Sequence, residues 1–185
     1  MQHADITFRR AEARDIPALQ ALHRASLGAL GAGHYTPRQI AGLFVTTETV
    51  DPRIIADGTF FVAERGGRVI GSGAWTRRAA GYESRLPPIG GSRRPEVATI
   101  RSVFVAPDHA RRGIARAIMD IVESDAVLHG AVILDLVATL PGIPLYRALG
   151  YAPADPIDVT LVNGVRFSGL RMVKHVLADG ASLAA

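Results

Sequence analysis

The residues best suited to chemistry crowd into one stretch, Val103-Phe-Val-Ala-Pro-Asp-His-Ala-Arg-Arg-Gly-Ile-Ala-Arg116. An apolar strand is predicted to stop at Pro107 and a helix to open near Gly113. Between and just beyond them lie small residues and three arginines, Arg111, Arg112 and Arg116. A helix N-terminus carries about half a positive charge and several unpaired N–H groups, so three cations beside it are unfavourable until an anion joins them. Phosphate is the usual anion at such a turn. Two common phosphate loops are excluded. A Walker loop ends in Gly-Lys-Ser/Thr, and the only lysine here is the distant Lys174. A dinucleotide fingerprint needs three spaced glycines between a strand and a helix, and Gly113 stands alone. Gly71-Ser-Gly73 lies inside a strand-like run, Arg68 to Trp75, and reads as close-packing or bulge positions.

The stretch resembles the acetyl-CoA loop of the GNAT superfamily of N-acetyltransferases, whose pattern is a strand, V-x-P, Q/R-x-x-G-x-G/A and an amphipathic helix. Val105-Ala-Pro107 and Ala110-Arg-Arg-Gly113-Ile-Ala115 align with it, Ala110 replacing the usual Gln or Arg. A second motif follows in the right order. Leu145-Tyr146-Arg-Ala-Leu-Gly150-Tyr151 is similar to the family's Tyr-x-x-x-Gly-Phe/Tyr signature, with Thr139 where the family usually has asparagine. The resemblance implies that Arg111, Arg112, Gly113, Ile114, Ala115 and Arg116 cradle the pyrophosphate of acetyl-CoA. It implies that the backbone of Val103, Phe104 and Val105 pairs with the pantetheine arm like an added strand. Thr139 becomes a cofactor contact, and Tyr146 a general acid near the thioester sulfur. The implied fold is a single α/β domain with a mixed, mostly antiparallel sheet flanked by helices.

The elements that must position these groups follow an α/β order. Ile6 to Ala11 reads as a first strand, then a helix from Asp15 with Ile16, Leu19, Leu22 and Leu27 as its apolar pattern. Thr36-Pro37 caps a second helix running through Phe44. Thr59 to Glu64 and Arg68 to Thr76 form strands across a Gly66-Gly67 turn. A Pro/Gly-rich loop from Ala79 to Pro95 precedes a strand from Glu96 to Val105. Ile114, Ala117, Ile118, Ile121 and Val122 then make one face of a helix. Ala131 to Ala138 reads as a buried strand and Ile143 to Leu149 as a short helix. Ile157 to Val162 and Val165 to Val173 flank Asn163-Gly164, a strong hairpin signal. One domain over residues 1–178 and a flexible tail at 179–185 are expected.

Composition agrees with one enzyme domain. The chain has 185 residues, 48% of them hydrophobic, which excludes general disorder. It has no cysteine, hence no disulfide, thiolate nucleophile or zinc–thiolate site. No run reaches the roughly 18 apolar residues of a membrane span, and Met1 to Arg10 does not read as a signal peptide. A cytoplasmic location and no membrane partner are expected. The net charge of +4 rests almost wholly on scattered arginines, so nucleic acid is not expected as a partner. Arg77, Arg78, Arg85, Arg93 and Arg94 flank one segment and read as a solvated loop. The six histidines lack ligand spacing, so no metal is expected. Trp75 reads as core, Phe104 as core or cleft wall, and His34-Tyr35 as a turn pair, which the resemblance would place where the family admits acceptors.

The implied reaction sets a protonation problem. A lysine-like amine has a pKa of about 10.4, so its neutral form at pH 7 costs roughly 4.6 kcal/mol. A base or desolvation must help. A backbone N–H near Phe104 or Val105 is expected to stabilise the oxyanion. Tyr146, with an ordinary pKa near 10, suits protonation of a thiolate whose thiol lies near 8.5. For the base, Glu96, Glu83, His34 and Asp135 are candidates, as is a water chain; Thr99 occupies the position where many relatives carry glutamate. Three readings stand: a small-molecule or peptide N-acetyltransferase using acetyl-CoA, a non-catalytic acyl-CoA-binding regulatory module, and a protein (lysine or N-terminal) acetyltransferase. Homodimers are common in the family, and no feature here decides the point.

Overall fold

The computed structural model describes residues 5–78 and 96–176. In chain order the elements are β1 (Thr7–Arg10), α1 (Ile16–Leu30), α2 (Pro37–Thr46), α3 (Pro52–Ala56), β2 (Phe60–Arg65), β3 (Arg68–Thr76), β4 (Val97–Val105), α4 (Ile114–Leu128), β5 (Ile133–Thr139), α5 (Ile143–Ala148), β6 (Ala152–Thr160) and β7 (Arg166–His175). The seven strands form one sheet in the order β1-β2-β3-β4-β5-β7-β6. Every neighbouring pair is antiparallel except β4 and β5. The expected α/β domain with a mostly antiparallel, helix-flanked sheet is therefore present. The Ala79–Pro95 loop, with Arg85, Arg93, Arg94 and Glu83, lies outside the described residues, as does the tail at 179–185.

Helices cover both faces of the sheet, which is why Ile70 to Thr76 of β3 is buried throughout. On one face Ile114, Ile118, Met119 and Val122 of α4 pack against Ala63, Ile70 and Ile100. Gly71 and Gly73 permit that approach. A Cβ on Gly71 would stand 2.7 Å from the Ile118 Cδ1, and one on Gly73 2.4 Å from its Cγ2. On the other face Leu19 of α1 and Ile54 and Ile55 of α3 cover Phe60, Val62 and Ala74. A third cluster joins Leu27 and Tyr35 to Leu161 and Phe167. Trp75 belongs to the core: it is buried and donates its indole N–H to Asp125 at 2.7 Å.

Local signals explain most boundaries. The Thr36 hydroxyl accepts the Gln39 N–H, and the Gln39 side chain accepts the Thr36 N–H, closing a capping box at α2. Two elements differ from expectation. The five-residue α3 shows no period, although Asp51 accepts the Arg53 N–H at its N-cap and Pro52 opens it. Strand β6 begins at Ala152 rather than Ile157, because Pro153 and Pro156 are tolerated on an edge strand.

Candidate functional site

The parallel pairing of β4 with β5 lasts only from Val97–Ile133 to Thr99–Asp135. Beyond it β5 continues along β7 as far as Thr139–Gly169, while β4 stays with β3 as far as Val105–Gly71. The sheet splits into a wedge with an open β4 edge. Ala106 donates its N–H to Ile70 at 2.8 Å, and Phe104 lies opposite Ser72. Alternate residues turn their backbone groups to opposite edges of a strand, so Val103 and Val105 turn theirs towards the wedge.

The same strand carries a bulge. Ser72 pairs with Phe104 but Ala74 with Arg101, so Ser102 and Val103 together oppose the single residue Gly73. Ser102 takes φ +59°, in the left-handed region that a non-glycine residue seldom occupies.

Past β4 the chain turns through Pro107–His109 and reaches α4 with Arg111 at φ +62° and Gly113 at φ +83°. The first turn of α4 holds no acidic side chain, so its N–H groups face the turn uncompensated by charge. A cavity of about 670 Å³ opens onto this turn and the β4 edge. It is lined by Val103, Phe104, Val105, Arg111, Gly113, Ile114, Ala115 and Arg116, and on its other wall by Thr139 and Tyr146. Of the residues that the resemblance assigns to the cofactor and to acid catalysis, only Arg112, exposed on the turn, is not part of that lining. Arg116 donates to the Ala148 carbonyl at 3.4 Å, which joins α4 to the end of α5.

A second, smaller cavity of about 120 Å³ lies inside the wedge. Phe104 and Thr139 line both spaces and form the partition between them. Leu43, Ile100, Val137, Ile157, Val159 and Phe167 make its walls apolar. Among the described residues of the lining, Glu48, which is exposed, is the one acidic residue and Arg101 the one basic residue, and Arg101 donates to the Glu48 carbonyl at 3.0 Å. These walls come from five separate elements, so no sequence motif announces the space.

Tyr146 is buried at the wall of the larger cavity and packs edge-on against Tyr151 with ring centroids 5.9 Å apart. Gly142 leaves room for it: a Cβ there would stand 3.1 Å from the Tyr146 ring and 3.5 Å from the Thr139 hydroxyl. Burial, reinforced by the Glu123 carboxylate, raises the Tyr151 phenol well above its ordinary range and keeps it protonated. Glu123 is held in turn by Lys174 at 2.6 Å.

The base candidates separate. Asp135 is paired with Arg171 at 3.1 Å and lines neither cavity. Glu96 precedes β4 at its paired end, where its carbonyl accepts the Val132 and Ile133 N–H groups. His34 lines the larger cavity, and Glu83 lies outside the described residues. Glu48 went unnoticed because nothing in its surrounding sequence marks it. Arg77 and Arg78 are held by the protein itself, through the His129 carbonyl at 2.6 Å and Asp57 at 2.6 Å. Among the described residues there is no cluster of metal-ligating side chains, and no helix is long and apolar enough to cross a membrane.

The family model for the acetyltransferase (GNAT) domain matches residues 56–153, which include β4, the arginine turn, Thr139 and Tyr146. Among solved structures the chain is similar to a GCN5-related N-acetyltransferase from Rhodopseudomonas palustris, with 20% identity, a TM-score of 0.70 and coverage of 95% of this chain and 99% of that one. The PaiA N-acetyltransferase from Thermoplasma acidophilum, solved with coenzyme A, gives 15% identity, a TM-score of 0.67 and coverage of 92% and 98%. A ribosomal-protein-alanine N-acetyltransferase from Brucella melitensis gives 20% identity, a TM-score of 0.62 and coverage of 92% and 99%. At these identities the likeness establishes the fold. No curated protein matches the chain.

Proposed function

This chain belongs to the GNAT family of N-acetyltransferases, and we propose that it moves the acetyl group of acetyl-CoA directly to the primary amine of a small molecule or peptide. The observation that carries the reading is the open β4 edge running into the arginine turn along one wall of the 670 Å³ cavity. The residues present suit the donor. Val103 and Val105 offer unpaired strand edge to an amide-bearing arm, and the N-terminus of α4 with Arg111 and Arg116 offers N–H groups and positive charge to a pyrophosphate. When bound, acetyl-CoA supplies an activated thioester carbonyl and a thiolate leaving group.

The protein's own groups then divide the work. A backbone N–H on the open edge faces the carbonyl oxygen as negative charge builds there. Tyr146, on the opposite wall, delivers a proton to the departing sulfur. Glu48, the carboxylate of the smaller cavity, takes the proton from the incoming ammonium, directly or through water. Phe104 and Thr139 hold the boundary at which donor and acceptor meet.

The smaller cavity also limits the acceptor. Cavities of roughly 150 Å³ with apolar walls admit a benzene ring. A 120 Å³ apolar space beside one carboxylate therefore favours an amine on a compact apolar body, of isobutyl to phenyl size, over polyamines and aminoglycosides. The test is thiol release from acetyl-CoA across amines graded by apolar bulk, with amino acids, polyamines, aminoglycosides and short peptides alongside. Turnover concentrated in small apolar amines supports this reading. Turnover only with peptides moves the acceptor to a protein chain. Tight acetyl-CoA binding with no turnover moves the protein to a binding module.

A further inference from the structure

Four polar side chains that belong to no motif close a ring beneath the β4 bulge. His23 of α1 is fully buried, as is Ser72 of β3. The His23 Nδ1 lies 3.0 Å from the Thr49 hydroxyl and its Nε2 lies 2.9 Å from the Ser72 hydroxyl. Ser72 donates to the Ser102 carbonyl at 2.7 Å, and the Ser102 hydroxyl donates to the Thr49 carbonyl at 2.6 Å. The direction of every bond follows. A carbonyl can only accept, so the single Ser72 proton goes to Ser102, and Ser72 must accept from His23 Nε2–H. Burial of His23 favours the neutral imidazole. In that form Nδ1 is the lone-pair nitrogen and accepts from Thr49.

The circuit joins α1, the α2–α3 connection, β3 and β4, and it meets β4 at Ser102, the residue in the left-handed conformation. A strained residue persists only where its surroundings over-determine it. The imidazole also stacks on Phe104 at 4.1 Å between centroids, and Phe104 is the partition between the two cavities. One buried side chain thus fixes both the bulge and the partition.

We propose that His23, acting through Ser72 and Ser102, is a positioning residue for acetyl transfer: it holds the bulged β4 edge and Phe104 where the thioester carbonyl is presented to the amine. This rests on the acetyltransferase reading above. The arginine turn, which holds the phosphates, lies outside the circuit, so the effect falls on turnover rather than on donor affinity.

The two arms of the imidazole can be separated. Gln at position 23 can keep a donor near the Nε2 position, and Asn can keep a polar atom near Nδ1. Thiol release is measured for the wild type, His23→Gln, His23→Asn, Ser72→Ala and Ser102→Gly, the last tolerating the positive φ if the buried variants fold poorly. The expected result is a kcat lowered roughly ten- to a hundredfold in His23→Asn and Ser72→Ala, as misplacement of reacting groups produces. His23→Gln retains most of the rate, Ser102→Gly loses severalfold, and KM for acetyl-CoA stays within about threefold. A kcat for folded Ser72→Ala within twofold of wild type overturns the proposal. So does a loss of rate that follows melting temperature regardless of which arm survives. Absence of any wild-type turnover defeats the acetyltransferase reading instead. The circuit is then read from binding: wild type must prefer acetyl-CoA to CoA and Ser72→Ala must lose that preference, while an equal preference in both overturns it.

Discussion

The Tyr35 hydroxyl accepts the N–H of Leu140 at 2.8 Å and donates to the Ser168 carbonyl, also at 2.8 Å. Leu140 begins the Leu140–Gly142 turn that leads from β5 into α5, and α5 carries Tyr146. Tyr35 is itself buried and stacked on Phe167 at 4.2 Å. One phenol therefore ties the entry of α2 to β7 and to the turn that aims Tyr146. In Tyr35→Phe an amide N–H and a carbonyl lose their partner in a half-buried setting, at a cost of about 1–3 kcal/mol. The expected fall in melting temperature is about 2–10 °C. A variant as stable as wild type by thermal unfolding contradicts this role.

Gly113 at φ +83° lets the arginine turn deliver the chain into α4. Gly113→Ala forces a side chain into the left-handed region at a cost of about 1–2 kcal/mol. The turn relaxes and the N–H groups at the start of α4 move. Isothermal titration with acetyl-CoA is expected to show affinity reduced by roughly tenfold, while the folded fraction at 25 °C is unchanged. Unaltered affinity in a folded variant would remove the turn from donor binding.

His23 predicts an acid limb in the stability profile. Burial lowers its pKa from 6.5 to about 3. The unfolded chain binds this proton as the pH falls through about 6.5, whereas the folded chain resists it until about 3. Stability present above pH 6.5 is therefore lost across that interval, at up to about 1.4 kcal/mol per pH unit. Asp15, lowered chiefly by its hydrogen bond to Arg9, and Asp51, lowered chiefly by Arg53, add further loss only as the pH falls below the ordinary carboxylate range. Urea unfolding at pH 7.5 and 4.5 checks this. Wild type should lose markedly more stability between the two than His23→Gln; equal losses contradict it.

Glu48→Gln removes the carboxylate proposed to take the proton of the amine, at little change in side-chain size. The expected outcome is kcat/KM lowered roughly tenfold to a hundredfold at pH 7, the loss shrinking above pH 9 as the free amine becomes abundant. A loss of the same size at every pH would assign Glu48 to binding rather than to proton removal.

Much of this was legible in the sequence, for identifiable reasons. The arginine turn drew notice by its three cations beside a helix start, and Tyr146 only through the resemblance of its contiguous motif to the family signature. The strand hairpins were marked by Gly66-Gly67 and Asn163-Gly164, and α4 by its apolar period. Strand β6 was read short because its prolines suppress a strand signal that edge position in fact permits. The smaller cavity and the His23 circuit stayed hidden for another reason. Their members come from α1, α2, the α2–α3 connection and β3 through β7, and only the tertiary fold brings them together. The histidine at 23 lies beside Leu19, Leu22 and Leu27 on the buried side of α1. Its partners Thr49 and Ser72 lie 26 and 49 positions away in the chain.

If Tyr146 and the open β4 edge form one acetyl-transfer site, removing the phenol oxygen alone must slow transfer without loosening the donor. Thiol release by Tyr146→Phe, with acetyl-CoA affinity measured on the same preparation, decides this. The expected kcat is lowered by roughly 10²–10⁴-fold, as loss of a general acid–base group produces, with the dissociation constant for acetyl-CoA within about threefold of wild type. A variant that retains wild-type kcat, or one that loses rate only by losing acetyl-CoA, would contradict it.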